Sequence, residues 1–463
     1  MIADLKPYAE YKESGLLWLG PLPGHWGLVP NRGLVRRRKV LVGKHHRDYR
    51  LLSLTKQGVI VRDISTGKGK FSSDMGTSQE VRNGDLVFCL FDVPETPRTV
   101  GLSRHDGMIT GAYTVFEGLR KGSSEYFELF YKAMDDRKLL SPLYSGLRNT
   151  IPAERFLGTK TPQPPPTEQA AIVRFLDWGN GRLERAIRAK RKVIALLNEQ
   201  KQAIIHRAVT RGLDPSVPLK PSSIPWLGDI PQHWEVMRLK RLGEVKIGLT
   251  YSPAEMVGET GTLVLRASNV RNGVIVSADN VYVSKKVPAN LLVREGDILI
   301  CVRSGSRNLV GKTALITREV AGMTYGAFMS LLRSKNNEFV YWVLNSNLFA
   351  CVMAQFETST INQLTQSDLK SLFIPVPPMT EQAEIAAYLK SATSGIHVAI
   401  SRLEREIELL REYRTRLVAD VVTGKLDVRE AAERLPDEAA PDTVEDDTDP
   451  SLDPEAANEE AAV

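Results

Sequence analysis

The chain has 463 residues, of which 42% are apolar and 25% charged, ordinary globular proportions with room for two or three domains. Its unbroken apolar runs, Val193 to Leu197 among them, fall far short of the roughly 20 residues a membrane-spanning helix requires, and no disulfide framework can be built from Cys89, Cys301 and Cys351, which read as separate buried thiols. The net charge of +6 conceals an asymmetry: everything after Arg434 holds eleven Asp or Glu and no Lys or Arg, so residues 1–434 carry +17 and favour a polyanionic partner, most simply nucleic acid.

In chain order, the N-terminal stretch MIADLKPYAEYKESG has no basic segment followed by an apolar core, so it does not read as a secretory leader and a cytoplasmic protein is expected. WLGPLPGHW follows at Trp18 to Trp26. Short β-branched runs separated by Gly and Asn turns come next, such as LLSLTKQGVIV from Leu51, and VRNGDLVF from Val81. PQPPP then stops the sheet part, and Thr167 with Glu168 signals a helix start, a hydroxyl cap and an acid in the positive first turn. A long helix is predicted to run to Gly212.

After Gly212 the same grammar repeats. WLGDIPQHW at Trp226 to Trp234 answers the first motif at an offset of 208, VREGDILI from Val293 answers VRNGDLVF at 212, and PPMTEQ answers PPPTEQ at 213, the offset from Glu168 to Glu381. The chain is thus two copies of one unit of roughly 210 residues. Gly84 and Gly296 sit in tight turns that deliver a core strand, and Trp18, Trp26, Trp226 and Trp234 read as packing anchors. The second helix is expected to end at Gly424. Both helices carry a 3.5-residue stripe in one register: Leu183, Ile187, Lys190, Ile194, Leu197, Lys201, Ile204 and Ala208, then Ile396, Ile400, Leu403, Ile407, Leu410, Arg414, Leu417 and Val421. Such a stripe marks a coiled coil, most simply an antiparallel pair of the two equivalent helices, with a parallel homodimer as the other arrangement. Lys201 and Arg414 weaken the seam locally and set register or meet acids.

The predicted fold class is α+β, a tandem repeat of two mixed α/β domains, each followed by a long helix. The expected boundaries are 1–160 and 213–375 for the two sheet domains, 161–212 and 376–424 for the spacer helices, and 425–463 for an acidic disordered tail.

No catalytic set can be nominated. GSRNLVGKT at Gly305 has five residues between its glycines where a phosphate loop has four, and Asp214-Pro215 lacks the second proline and aromatic of an amino-methyltransferase motif. His45-His46, among basic residues and without a carboxylate or cysteine pair, reads as basic surface and not a metal site. The sheet parts instead offer candidate DNA contacts. In copy one these are Arg36, Arg37, Arg38, Lys44, Arg47, Arg50, Lys68, Lys70, Arg98, Arg104, Arg148 and Asn149; in copy two they are Arg266, Asn269, Arg271, Asn272, Arg303, Arg307, Asn308, Lys312, Thr360, Asn362 and Gln363. Lys and Arg neutralise phosphates, while Arg, Asn and Gln can read guanine and adenine edges.

With tandem sheet parts, WLGxxPxxW at each head and PPxTEQ before each heptad helix, residues 11 to 430 resemble the specificity subunits of type I restriction-modification systems. The resemblance implies two target recognition domains, each reading one half of a split site in double-stranded DNA, separated by a two-helix spacer. It implies a subunit without catalytic activity of its own. Two modification (methyltransferase) subunits would supply methyl transfer, and restriction/translocase subunits would supply ATP-driven translocation and cleavage, so S-adenosylmethionine, ATP and Mg are expected on those partners. It further implies that the helices and Thr167, Glu168, Gln169, Thr380, Glu381 and Gln382 form the docking surface for the modification subunits. A stand-alone bipartite DNA-binding adaptor, or the specificity part of another modification or phage-defence complex, would share the repeat, the basicity and the coiled coil.

Overall fold

The apolar triplets that follow each VRxGD turn decide where the sheets sit. In a computed structural model describing residues 5–16, 18–62, 75–120, 122–304, 309–349, 352 and 363–436, the chain divides into two compact units, residues 1–191 with 404–463, and residues 192–403. In unit 1, Leu86–Phe88 is the third strand of a four-stranded antiparallel sheet, ordered Val35–Arg38, Thr114–Gly118, Leu86–Phe88, Val100–Leu102. Side chains alternate across a strand, so the sheet feeds two cores. Leu86, Phe88 and Phe116 face an aromatic cluster with Tyr131 and Phe156, whereas Val87 and Val115 face Leu52, Val59 and Ile109. The rings pack tightly, with Phe88 and Phe156 centroids 4.7 Å apart.

Unit 2 repeats that sheet strand for strand: Gly243–Ile247, Met329–Ser334, Ile298–Cys301, Thr313–Leu315. The preceding turns match too. Gly84 (φ 90°) and Gly296 (φ 82°) take the left-handed conformation, and Asp85 and Asp297 each accept a backbone N–H, from Arg82 and Arg294, at 2.8 Å. Unit 2 adds a second sheet, Met256–Val257, Val281–Val283, Thr262–Leu265, Thr324–Tyr325, whose last pairing is parallel. It also adds a hairpin, Val270–Arg271 with Val274–Ile275, turning on Asn272-Gly273 with positive φ at both. Cys89 and Cys301 are buried thiols; Cys351 lies outside the described residues.

The long helices are Pro166–Arg211 and Met379–Val422. Each begins one residue before its threonine, so Thr167 and Thr380 lie inside the first turn and are not the caps the motif suggested. In copy one proline takes the first helical position, where its missing N–H costs nothing. Gly212 (φ 72°) and Gly424 (φ 76°) follow the helix ends.

In unit 1 Glu184 pairs with Arg414 at 3.0 Å and Lys190 with Glu406, so rising numbers on one helix meet falling numbers on the other, an antiparallel sense. Leu183, Ile187, Ile407, Leu417 and Val421 are buried there, while Leu410 is half-buried. In unit 2 Ile400 is buried, and Ile194, Leu197, Ile204, Ile396 and Leu403 are half-buried, because a side chain covered by one neighbouring helix alone keeps an open flank.

Lys201 occupies in unit 2 the place that Arg414 holds in unit 1, at the repeat offset of 213, and the residue equivalent to Glu184 is His397. One copy therefore closes this position with an ion pair and the other sets two bases side by side. Burial lowers the Lys201 ammonium below its ordinary range, and burial together with the Lys201 charge lowers His397 from 6.5. A histidine lowered in the fold takes up its proton more readily when unfolded, so its contribution to stability is present above the ordinary histidine value and is lost as pH falls through it and below. His397→Glu should abolish that acid-dependent loss and raise stability near neutral pH by roughly 0.5 kcal/mol. Urea midpoints of the full chain at pH 5 and pH 7.5 measure both effects; an unchanged acid response in the variant would show that His397 is not the titrating group.

The chain's last described stretch belongs to unit 1. Asp427 N–H donates to Lys6 O at 2.8 Å, Arg429–Glu433 is a short helix, and Val428, Ala432 and Leu435 are buried in the unit 1 core. The expected tail from residue 425 is corrected accordingly: residues 425–436 carry enough apolar surface to pack, and the acidic stretch 437–463 lies outside the described residues.

Candidate nucleic-acid interface

Each sheet domain is fastened to the helix that follows it by one carboxylate. The strand after the HW dipeptide pairs antiparallel with the strand before the helix, Gly27–Pro30 with Lys160–Gln163 and Glu235–Arg238 with Phe373–Val376. That pairing brings the TEQ glutamate to the tryptophan. Trp26 Nε1–H donates to Glu168 Oε1 at 2.9 Å, Tyr8 O–H to the same oxygen at 2.6 Å, and His25 Nε2 lies 2.7 Å from Oε2. In unit 2 Trp234 Nε1–H donates to Glu381 at 3.0 Å and His233 Nε2 lies 2.7 Å from it. Burial, reinforced by the Glu168 carboxylate, pushes the Tyr8 phenol well above its usual range. Gln169 and Gln382 donate to the carbonyls of Pro164 and Pro377.

This geometry corrects the docking assignment. Glu168, Gln169 and Gln382 are buried and bonded within the chain, Glu381 is mostly enclosed, and only Thr167 and Thr380 stand exposed. Trp26 and Trp234 are fully buried packing anchors.

The proposed DNA contacts separate by environment. Asn269 is fully buried and closes its own loop, accepting from Arg266 N–H and donating to the carbonyls of Val276 and Ala278. Arg38 is mostly enclosed between Asp85 and Glu117, and Arg98 lies against Asp136 at 2.7 Å. These three hold the fold, a correction with a common cause: each sits where a polar group must be paired to be buried. Arg36, Arg148 and Arg266 pair with Glu117, Asp92 and Asp279. Arg37, Lys44, Arg47, Arg50, Arg104, Asn149, Arg271, Asn272, Arg303, Lys312 and Gln363 are exposed. Lys68, Lys70, Arg307, Asn308, Thr360 and Asn362 lie outside the described residues.

Several of the exposed groups meet at one corner of each sheet. In unit 1 the loop Ser145–Thr150 closes on itself with two backbone hydrogen bonds of 2.9 and 3.0 Å. It leans on the end of the Leu86–Phe88 strand, where Asp92 N–H donates to Arg148 O and Ile151 N–H to Leu90 O. Its tip, Leu147, is fully exposed beside Arg148 and Asn149. In unit 2 Leu364 N–H donates to Val302 O, as Ile151 N–H does to Leu90 O, and Arg303 bridges to Gln363. The corner is completed by a repeated Gly-Ala-aromatic turn, Gly111 to Tyr113 and Gly326 to Phe328. Tyr113 packs near Phe91 with centroids 6.1 Å apart, and the Arg303 guanidinium lies over the Phe328 ring at 5.1 Å. Unit 2 also has a basic groove of about 830 Å³ lined by Lys240, Arg241, Lys246 and Lys370. Neither Phe328 nor these lysines stood out in the sequence; the signal that could have found Phe328 is the GAY/GAF repeat at an offset of 215.

Residues 231–409 match the family model described as the Type I restriction modification DNA specificity domain. The chain is 26% identical over 207 residues to the EcoKI specificity subunit of Escherichia coli (strain K12), covering 43% of this chain and 44% of that protein. It is 25% identical over 289 residues to the MjaVIII specificity subunit of Methanocaldococcus jannaschii, covering 59% and 64%. These matches therefore span less than two thirds of either relative. Among solved structures, a chain from work on assembly and conformational transition of the type I R-M system superposes with a TM-score of 0.60 at 16% identity, covering 88% of this chain and 99% of that one, a likeness of fold. By the matched domain, the relatives and the repeated motifs, the chain is similar to the specificity subunits of type I restriction-modification systems.

Proposed function

We propose that this chain recognises a bipartite site in double-stranded DNA and makes no covalent change itself. Unit 1 through residues 1–160 and unit 2 through residues 213–375 each read one half-site, and the helices 161–212 and 376–424 serve as spacer and as docking surface for two methyltransferase subunits, through which restriction subunits join. S-adenosylmethionine, ATP and Mg are bound on those partners, and the complex works in the cytoplasm. The observation that carries this reading is the duplicated corner: the same strand end, with Ile151 N–H on Leu90 O and Leu364 N–H on Val302 O, and the same Gly-Ala-aromatic turn, with exposed basic or amide groups beside them, recur in both units. Two equivalent corners suit two half-sites, and the +17 body suits phosphate contacts. With the glutamates internal, partner docking falls to the exposed helix faces, where Val193, Leu196, Val398, Leu409 and Tyr413 stand open to solvent.

The test is co-expression with the methyltransferase encoded beside it. The pair should co-elute and methylate a split sequence, and replacing residues 213–375 with the matching domain of a relative should change one half of that sequence only. Methylation of one continuous short site, or a change in both halves, would end the two-domain reading.

A further inference from the structure

The unit 2 corner encloses a crevice of about 550 Å³ to which phosphate contact and edge reading assign no role. Its apolar wall includes Tyr251, Met256 and Phe328, and its polar wall Arg266, Ser268 and Arg303. Phe328 is 58% exposed, a large ring left in water. Its placement is nevertheless firm: its carbonyl accepts the N–H groups of Val302 (3.0 Å) and Arg303 (3.2 Å), and the Arg303 guanidinium covers one side of the ring. Across the crevice two polar atoms are buried without a hydrogen-bond partner, Arg266 Nε and Ser268 Oγ. Donors without a partner in the chain, beside open space, can be paired by the edge of a ligand that enters it.

An aromatic face, a flat cation and unpaired donors in a space of this size are the recognition set for a single nucleobase. The base offers a π-face to the ring and acceptors on its edge to the donors. An aliphatic ligand would leave both donors unpaired, and a bare phosphate would leave the aromatic wall uncovered. Resting on the reading of the chain as a DNA-specificity subunit, we propose that this crevice receives one base of the unit 2 half-site, drawn out of the duplex stack, with Phe328 as its stacking face and Arg266 and Ser268 at its edge. The corresponding ring in unit 1, Tyr113, is half-buried against Phe91, so only one half-site should lose a base from its stack.

The experiment uses the assembled methyltransferase on duplexes carrying its own methylation site, with 2-aminopurine placed in turn at each position of both half-sites except the methylated adenines. Binding should raise fluorescence severalfold at one position, in the half-site that changes when residues 213–375 are exchanged. Phe328→Ala should return that signal to the free-duplex level and weaken binding roughly tenfold to a hundredfold, while Phe328→Tyr retains both. Co-elution of Phe328→Ala with the methyltransferase and its wild-type melting temperature check that it folds. No responsive position in a complex that still methylates a split site overturns the crevice proposal and leaves the function standing; a rise that survives Phe328→Ala overturns it as well. Absence of any site-specific binding by the assembled complex overturns the function itself.

Discussion

Glu168→Ala should destabilise unit 1 by about 3–5 kcal/mol, the range for removing one partner from a buried charged network. The carboxylate is 3% exposed and satisfies the Trp26 indole, the Tyr8 hydroxyl and His25 together. Removing it strands the indole N–H and the phenol in an apolar core. Glu381→Ala should cost less, about 1–3 kcal/mol, because Glu381 is 24% exposed, bonds the tryptophan and the histidine with no counterpart of the Tyr8 hydroxyl among the described residues, and lets water replace it. Guanidinium unfolding of the full chain, followed by tryptophan fluorescence, gives both values because each glutamate touches a buried tryptophan. Equal losses from the two substitutions would show that burial does not decide the strength of the junction.

Ile407→Asp carries the second large effect. Ile407 is 7% exposed on the stripe of the second long helix, and a carboxylate there is taken out of water against apolar neighbours, so a loss of about 3 kcal/mol or more is expected. Leu197→Asp lies on the same kind of stripe but at a half-buried position, where the carboxylate can reach water, and should cost about 1 kcal/mol. The sequence treated these two positions alike; the structure separates them. Melting curves, with co-elution of the methyltransferase as a second readout, measure the difference. A wild-type melting temperature for Ile407→Asp would remove the claim that the stripe is a seam.

What could be read from residues alone was whatever is encoded locally or twice. The duplicated motifs, the tight turns at Gly84 and Gly296 and the long helices with their glycine stops all depend on spacing within a few residues. The roles of Glu168 and Glu381 were hidden because their partners lie 142 and 147 residues away in sequence. Spacing alone makes them look like surface, whereas they are fasteners. Asn269 looked like a base-reading amide because nothing in its own neighbourhood announces that it closes a buried loop. Arg36 and Arg38 share one strand face, where Glu117 meets them, and Arg37 points the other way; the period of two was present in the triplet, but the opposing glutamate was not adjacent to it. Phe328 was masked by its setting, since GAFMSLL reads as the start of a buried strand.

The discontinuity of unit 1 bears on the order in which the molecule can be made. Unit 2 is one uninterrupted stretch, residues 192–403, and all its core residues have left the ribosome once Leu403 has emerged. Unit 1, although its first strands are synthesised earliest, waits for residues beyond 404: Tyr126 donates to Val422 O, Pro23 and Trp26 lie against Gly424, and Leu417 through Leu435 fill its core. Contacts spanning nearly the whole chain close slowly and leave apolar surface uncovered meanwhile. Unit 1 is therefore the last to finish folding, and during synthesis its incomplete core is the part of the nascent chain most in need of a chaperone.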